Sequence, residues 1–316
     1  MERSILSTCV SGCLRARAIF QGIKARATGK KAAPIEPPTL VCADRLAYGP
    51  FRFRTQVPKE LEFEIEATSN LKNWIFIASD SSNGEIEFVD SDAPKFSYRF
   101  YRLNVNGVYS TNIIGYATVT LPPGFSVVAN PLSGGDESVP ALFKGVPDGT
   151  ALSKFDSRLH RLTENAFEAG KWTNPTEKLS LGEGALLFNP TSEYKKLRFV
   201  GSVSQSSLST PIPAGFSMRS SIFPQPGRLD TDLGFPISDG DVIHLLDGDR
   251  QKYLIYPYEG SAWACEPPVL GVGEAFWVAK KAAGTWLQEF TMIPPISQPA
   301  VADGETKQHP DRKNIQ

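Results

Sequence analysis

Glu183 and Glu274 form an acidic pair whose spacing could support chemistry, because they lie 91 residues apart in matching Gly-Glu contexts. Two carboxylates can divide the acid and base roles of glycoside hydrolysis. The alternative is that each carboxylate accepts backbone hydrogen bonds in a Gly-flanked turn that leads into a buried strand. A residue duplicated at equivalent positions of a repeat is usually structural. We therefore predict no catalytic residue and no enzyme activity.

Patterns for other chemistries are weak in this sequence. It contains no Gly-x-Ser-x-Gly elbow, no phosphate-binding loop and no His-Glu-x-x-His pattern. Cys9 and Cys13 lie close together, but no second pair follows and the histidines are scattered, which argues against a zinc site. The run 247–249, Asp-Gly-Asp, lacks the spaced ligands of a calcium loop and is interpreted as a turn. We predict no metal and no other cofactor.

Aromatic residues make a better case for ligand binding. Four of them, Trp172, Trp263, Tyr256 and Tyr258, lie in or near predicted loops, as does Tyr253. Exposed aromatic rings stack against sugar rings in carbohydrate-binding modules. The competing interpretation is core packing, because Tyr256 and Tyr258 follow period two beside apolar neighbours. These four residues are our candidate binding residues.

The elements that must position these residues are repeated along the chain. The anchors fall in five pairs, each separated by 91 residues without a gap: Gly124-Phe125-Ser126 with Gly215-Phe216-Ser217, Asp148-Gly149 with Asp239-Gly240, Trp172 with Trp263, Gly182-Glu183 with Gly273-Glu274, and Phe199 with Phe290. A spacing held this strictly indicates that the region from about 121 to 293 is a duplicated structural unit.

Composition favours an all-β protein with no general affinity for nucleic acid. The 316 residues include 26 glycines and 25 prolines, which lie among short apolar runs and disfavour long helices. Lys plus Arg (33) nearly cancels Asp plus Glu (34), so nothing in the net charge indicates an anionic partner. No apolar run reaches the length of 18 residues or more expected of a membrane-spanning helix.

Period-two alternation marks the region before the repeat. Apolar residues of 61–67 alternate with glutamates, which is typical of antiparallel strands that cover a core on one face. Further short strands separated by turn residues follow. The spacing predicts a small sandwich of the immunoglobulin or fibronectin type over residues 46–119.

This region resembles a known module. The run EATSNLKNW at 66–74, with FVD at 88–90 and RFYRL at 99–103, resembles the "AS-x-NL-x-x-W … F-x-D … RFYR" module of large secreted or surface proteins of environmental bacteria. We interpret Trp74 as a core anchor, and Arg99 and Arg102 as solvated charges on a strand face.

The repeat carries a second resemblance. LPPGFSVVANPL at 121–132 and GEGALLFNP at 182–190 are similar to a β-module found in tandem near the ends of the same proteins, and GVGEAFWV at 271–278 continues the likeness in the second copy. The second copy departs from the opening pattern, with Met-Arg-Ser-Ser at 218–221. The resemblance implies fold and an extracellular or cell-surface location more than an activity.

The two ends of the chain differ from its middle. The first 33 residues carry seven basic side chains and one acidic side chain, and no convincing secretion signal. Cys13 follows small residues, as in lipoprotein signals, and is a candidate lipidation site. We predict a flexible basic segment and linker at 1–45 and a disordered tail at 294–316.

We expect an all-β chain with a sandwich at 46–119, repeat unit 1 at 120–210 and repeat unit 2 at 211–293. Whether the repeats form one body or two stays open. The expected function is a non-catalytic, secreted or cell-surface structural or interaction protein that serves adhesion or envelope assembly. Its expected partners are itself or other surface proteins, without nucleic acid or a membrane span. The alternative is a carbohydrate-binding module that assists polysaccharide use.

Overall fold

A computed structural model describes residues 34–42 and 49–292 of the chain. Apart from Pro34 and Ile35, these residues belong to one compact unit, Glu36–Gln316. Cys13, the rest of 1–33 and the predicted tail at 294–316 lie outside the described residues. The predicted all-β class is confirmed, because strands dominate and pair antiparallel throughout.

The first part of the chain contains eight strands. They are β1 (Val41–Cys42), β2 (Phe51–Gln56), β3 (Glu62–Thr68), β4 (Ile75–Ser81), β5 (Glu85–Asp90), β6 (Tyr98–Val105), β7 (Val108–Tyr109) and β8 (Ile113–Leu121), with a 3-10 turn at Ala93–Lys95. One sheet has the order β1-β2-β5, and a second runs β8-β6-β3-β4, with β7 beside β6. The alternation in β2 and β3 places apolar side chains in the core between these sheets.

Arg99 and Arg102 correct the prediction of solvated strand charges. Both are buried, at 6% and 4% exposure. Arg99 donates to the buried Asp90 at 2.8 Å, and Arg102 donates to Glu66 at 2.6 Å while its guanidinium lies 4.2 Å from the Trp74 ring centre. Each buried guanidinium is stabilised by a carboxylate that takes the place of its lost water. A period-two pattern does not show which charged residues have such a partner.

The first repeat forms a five-stranded sheet. Its elements are β9 (Gly124–Val128), α1 (Val139–Leu142), β10 (Ala151–Asp156), β11 (Arg161–Glu168), β12 (Lys171–Trp172) and β13 (Ala185–Asn189). The strand order is β12-β11-β10-β13-β9. Pro140 lies at the start of α1, where its missing N–H is tolerated.

The second repeat builds the same sheet. The remaining elements are β14 (Lys195–Val203), β15 (Ser206–Ile212), β16 (Gly215–Arg219), β17 (Gly227–Arg228), β18 (Val242–Asp247), β19 (Lys252–Glu259), β20 (Ala262–Trp263), β21 (Val269–Leu270), β22 (Phe276–Lys280) and β23 (Gly284–Phe290). The order β16-β22-β18-β19-β20 matches that of the first repeat, and each of these five strands begins 91 residues after its counterpart.

Two further strands link the parts of the chain. β14 pairs with the whole of β8 and so extends the six-stranded sheet of the first module, while β15 pairs with β23. The predicted boundary after residue 119 falls within β8, and the boundary after residue 210 falls within β15. The described part of the chain contains no helix long and apolar enough to cross a membrane.

Each five-stranded sheet has its own core on one face. Trp172, Leu187 and other residues of the first repeat pack with Phe199 of β14. Phe276 and Trp286 occupy the corresponding core of the second repeat. The opposite face of each sheet is also apolar, and these opposite faces create the candidate site.

Candidate ligand-binding groove between the two repeats

The two repeats meet through their edge strands, β9 and β16. Val128 at the end of β9 bridges to Glu274 of the second repeat, and Arg219 at the end of β16 bridges to Glu183 of the first. Val128 and Arg219 occupy equivalent positions, as do Glu183 and Glu274. The two bridges are therefore the same contact made in both directions, which is the pattern of a two-fold interface.

Backbone hydrogen bonds follow the same symmetry. Ala129 N–H donates to the Gly273 carbonyl at 2.9 Å, and Ser220 N–H donates to the Gly182 carbonyl at 3.1 Å. These four residues are again related by 91 positions. The repeats thus form one pseudo-symmetric body, in which the duplicated Gly-Glu motif supplies the contact.

A small apolar cluster fills the seam between the repeats. Its buried members are Val127, Ala129, Met218 and Ala275, and the side chains of Phe155, Leu186, Leu246 and Trp277 pack against them. Both Phe155 with Leu246 and Leu186 with Trp277 are equivalent pairs. The strands of the seam are apolar on both faces because one face covers the core and the other covers the partner repeat.

The edge of β9 is closed by a side chain of the second repeat. Gln251 Oε1 accepts from Phe125 N–H at 2.7 Å, and Gln251 Nε2 donates to the Phe125 carbonyl at 2.9 Å. This amide bonds the edge backbone at the place where a neighbouring strand would otherwise pair with it. It also limits the space, since a Cβ built on Gly124 would lie 2.5 Å from Gln251 Oε1.

The edge of β16 is open at the equivalent place. His160 stands where the second repeat has Gln251, with a similar left-handed φ of 49° against 51°. Among the described residues, no hydrogen bond joins His160 to the backbone of Phe216, the counterpart of Phe125. A Cβ built on Gly215 would meet no atom within 4 Å. The pseudo-symmetry is therefore broken by an opening.

An aromatic groove of about 500 Å³ lies at this opening. Four lining residues come from the first repeat and four from the second. They are Phe155, His160, Leu162 and Leu186, and Phe216, His244, Tyr253 and Trp277. Phe216 is 48% exposed and Leu162 is 46% exposed, so the groove presents large apolar surfaces to solvent.

Trp277 organises the groove. Its ring meets Phe155 of the other repeat edge-on, with 4.9 Å between ring centres, and meets Phe216 at 6.5 Å. Its Nε1–H donates to the Tyr253 hydroxyl at 3.1 Å. These contacts hold the indole in one orientation and leave its surroundings free of formal charge.

Two titratable groups of the groove, His244 and Tyr253, favour their neutral forms. Burial lowers the pKa of His244 below its ordinary value, so the imidazole is uncharged at neutral pH. Burial raises the pKa of Tyr253, with the opposing effect of the bond from Trp277 being smaller. The groove lining holds no carboxylate and no Lys or Arg. It suits an uncharged, partly apolar ligand.

The predicted aromatic residues lie elsewhere. Trp172 is 6% exposed and packs against Phe143 and Phe167 in the core of the first repeat. A ring buried in this way offers no face to a sugar, so the interpretation of Trp172 as an exposed platform is wrong.

The other three candidates line one side of the second repeat. Trp263 and Tyr258 pack edge to face at 5.2 Å, and Trp263 Nε1–H donates to Asp230 Oδ2 at 2.8 Å. Tyr256 is half-buried against the core of that repeat. None of the four candidate residues lines the aromatic groove, whereas Tyr253, the fifth aromatic of that set, does.

Glu183 and Glu274 hold turns at the seam. Glu183 Oε2 accepts from Ser180 N–H at 3.0 Å, and Glu274 Oε2 accepts from Gly271 N–H at 2.9 Å. Each glutamate therefore bonds the backbone three residues before it. Lys154 adds an ion pair to Glu183 at 2.8 Å. The backbone bonds agree with the structural interpretation of this pair.

Asp247 forms a hairpin turn, as its sequence context indicates. Its Oδ1 accepts from Arg250 N–H at 3.0 Å, and in the first repeat Asp156 Oδ1 accepts from the equivalent Leu159 N–H at 3.1 Å. Within residues 34–42 and 49–292, no group of three or more His, Cys, Asp or Glu side chains is arranged to hold a metal ion. Cys9 and Cys13 lie outside that range.

Sequence reasoning missed the groove, although one signal was present. Strands β13 and β22 are apolar at every position except the last, Asn189 and Lys280, and this pattern predicts burial on both faces. Leu186 and Trp277 occupy the face directed away from each core, and there they line the seam and the groove. A tryptophan on the second apolar face of such a strand was the available indication.

Comparisons with known proteins add little to this geometry. No protein-family model and no curated protein matches the chain. Among solved structures, the chain is similar to a tetra-tandem repeat in the extending region of a large adhesion protein, with 10% sequence identity and a TM-score of 0.21. The match covers 78% of this chain and 66% of that chain. A likeness this low supports no statement about function.

Proposed function

We propose that this protein is a non-catalytic interaction protein built from β modules, which acts outside the cell or at its surface and binds partners through the aromatic groove. The observation that supports it is the open groove at the broken side of the two-fold seam, lined by both repeats and uncharged. Exposed aromatic surfaces of this kind mark interaction sites more often than they serve stability. The extracellular location rests on the motif resemblances at 66–103 and 121–190.

The duplicated glutamates support the absence of catalysis. An acid or base in hydrolysis needs a carboxyl group that is free to exchange a proton with substrate. In both Glu183 and Glu274, one carboxylate oxygen accepts a hydrogen bond from a backbone N–H at the repeat seam. We assign them to the architecture of the interface.

Self-association belongs to the same proposal. β4 is an edge strand of the six-stranded sheet, and its Ile75 and Phe76 are 54% and 60% exposed. Edge strands with exposed apolar side chains pair readily with other chains. Other copies of this chain and other surface proteins are therefore the expected partners.

The decisive experiment compares Phe216→Glu with Phe125→Glu in the full chain. These phenylalanines occupy equivalent positions and are similarly exposed, at 48% and 44%, but only Phe216 lines the groove. Size-exclusion chromatography with light scattering is run for wild type and both variants, alone and with soluble polysaccharides. We expect the association that wild type shows, with itself or with a polysaccharide, to be lost in Phe216→Glu and kept in Phe125→Glu. Equal behaviour of the two variants would contradict a role for the groove.

Carbohydrate binding is the second candidate function. The aromatic composition of the groove favours it, because sugar rings stack on the faces of Trp and Phe side chains. A glycan array with wild type, Trp277→Ala and Trp263→Ala tests this candidate. Binding that is lost only in Trp277→Ala would favour it, and an array without any response would remove it.

A further inference from the structure

We propose that the groove is a strand-addition site, in which an extended polypeptide segment of a partner pairs with the edge of β16 at Phe216 and places an apolar side chain against Trp277. This inference rests on the proposed function and specifies its ligand. It follows from the difference between the closed edge of β9 and the open edge of β16.

The closed edge shows which backbone groups point outward. On β9 and just beyond it, alternate residues use the other repeat. Ala129 donates to Gly273, the Val127 carbonyl accepts from Ala275 N–H at 3.1 Å, and Phe125 bonds to Gln251. Alternation of this kind is the antiparallel ladder pattern. The outer edge of β9 is thus paired at three successive outward positions.

The edge of β16 repeats this ladder and then stops. Ser220 donates to Gly182, and at the next outward position the Met218 carbonyl accepts from the Arg219 guanidinium at 2.7 Å, beside the bridge between Arg219 and Glu183. Alternation makes Phe216 the third outward residue. Among the described residues, the first repeat provides no hydrogen bond to it. The groove is therefore continuous with an established interface, and it begins where that interface lacks its last rung.

The chemistry of the missing rung indicates a polypeptide. In β9, one side-chain amide provides both an acceptor and a donor to a single residue, Phe125. A residue in an extended chain provides the same pair from its own C=O and N–H. Its side chains alternate, so that every second one faces the aromatic surface. The absence of charged groups from the lining favours an apolar side chain at that position.

His160→Gln provides a specific test. It introduces the residue that closes the other edge, at a backbone conformation that Gln251 already adopts. The probe is a displayed library of random heptapeptides selected against the full chain. Selected peptides are then titrated against wild type, His160→Gln and Trp277→Ala, and the backbone amide of Phe216 is followed by NMR. Cellohexaose is titrated as the sugar probe.

We expect selected peptides to carry apolar residues at alternate positions, to shift the Phe216 amide, and to lose at least tenfold in affinity with His160→Gln. Failure to select any peptide, or affinity unchanged by His160→Gln, would overturn the inference. Peptide or sugar binding that is lost in Trp277→Ala but unaffected by His160→Gln would keep the groove as an interaction site and reject strand addition. Folding of each variant is checked by its dispersed NMR spectrum.

Discussion

The side-chain amide of Gln251 bonds both backbone polar groups of Phe125, a residue of the other repeat and 126 positions earlier in the chain. These bonds close the edge of β9 at the two-fold seam, whereas the equivalent edge of β16 is open. Both repeats place an edge strand at this seam, and a difference at one position, Gln251 against His160, separates the closed edge of β9 from the open edge of β16.

Gln251→Ala should loosen the closed side of the seam. The substitution removes the two bonds to Phe125 and a third to the Gly248 carbonyl, and we expect the free energy of unfolding to fall by about 1–2 kcal/mol. Hydrogen exchange at the Phe125 amide should accelerate, and urea unfolding measures the loss of stability. His160→Ala is the matched control and should change stability by less than about 0.5 kcal/mol. Equal losses in the two variants would contradict the asymmetry of the seam.

Gly124→Ala and Gly215→Ala should differ in effect although both glycines have left-handed φ, at 89° and 81°. Both substitutions incur a backbone strain of roughly 1–2 kcal/mol. A Cβ at position 124 additionally meets Gln251, whereas one at 215 meets open space. We therefore expect Gly124→Ala to lower the thermal midpoint further than Gly215→Ala. If Gln251→Ala does not narrow that difference, the contact with Gln251 is not its cause.

Much of the fold could be predicted from sequence because it depends on local periodicity. Asp148 illustrates this, since it accepts from Gly170 N–H at 2.9 Å, and Asp239 accepts from Ser261 N–H at 3.4 Å one repeat later. The 91-residue spacing thus reports equivalent turns. Each Asp bonds a turn that lies 22 residues further along the chain, so the repeated spacing of turn residues carries information that a single hairpin does not.

The groove could not be predicted in the same way. Its lining comes from residues far apart in sequence, such as Phe155 and Trp277, which approach only when the repeats pack. Trp172 and Trp263 share a repeat position and differ in burial. Phe167 and Tyr258 contact them equivalently, but Phe143 also packs against Trp172, and the residue equivalent to Phe143 in the second repeat is Gly234. The position of a residue in the repeat predicts its backbone conformation. The exposure of its side chain depends on neighbours that differ between the repeats.

Trp172→Ala should destabilise the protein more than Trp263→Ala. Removal of the buried Trp172 ring leaves a cavity, and we expect a loss of about 3–5 kcal/mol in the free energy of unfolding. Trp263 is partly exposed and donates one hydrogen bond to Asp230, so its loss should amount to roughly 1–2 kcal/mol. Urea denaturation of both variants checks the order. A well-folded Trp172→Ala variant with near-normal stability would show that the ring is not a core residue.

Glu183→Ala should cost more stability than Glu274→Ala. Both lose a bond to a backbone N–H, worth about 1 kcal/mol, but Glu183 also loses the ion pair with Lys154. The residue equivalent to Lys154 is Leu245. In a Lys154→Leu background the two glutamate substitutions should therefore have similar effects on the chemical denaturation midpoint. A difference that persists in that background would assign the asymmetry to another contact.

His244 should make stability fall on mild acidification. It is half-buried on β18, with its ring centre 5.9 Å from that of Phe216, and burial lowers its pKa from the ordinary value of 6.5. The unfolded chain then binds a proton near that ordinary value while the folded chain still excludes it, so the free energy of unfolding rises with pH in this window. The contribution is complete above about pH 6.5 and declines as the pH falls toward the folded pKa. His244→Gln should flatten this part of the profile, measured by urea unfolding at a series of pH values, and NMR titration of the His244 ring should give a midpoint below the ordinary value. A midpoint above the ordinary value, or an unchanged profile in the variant, would mean that burial in the groove does not disfavour the charged imidazole.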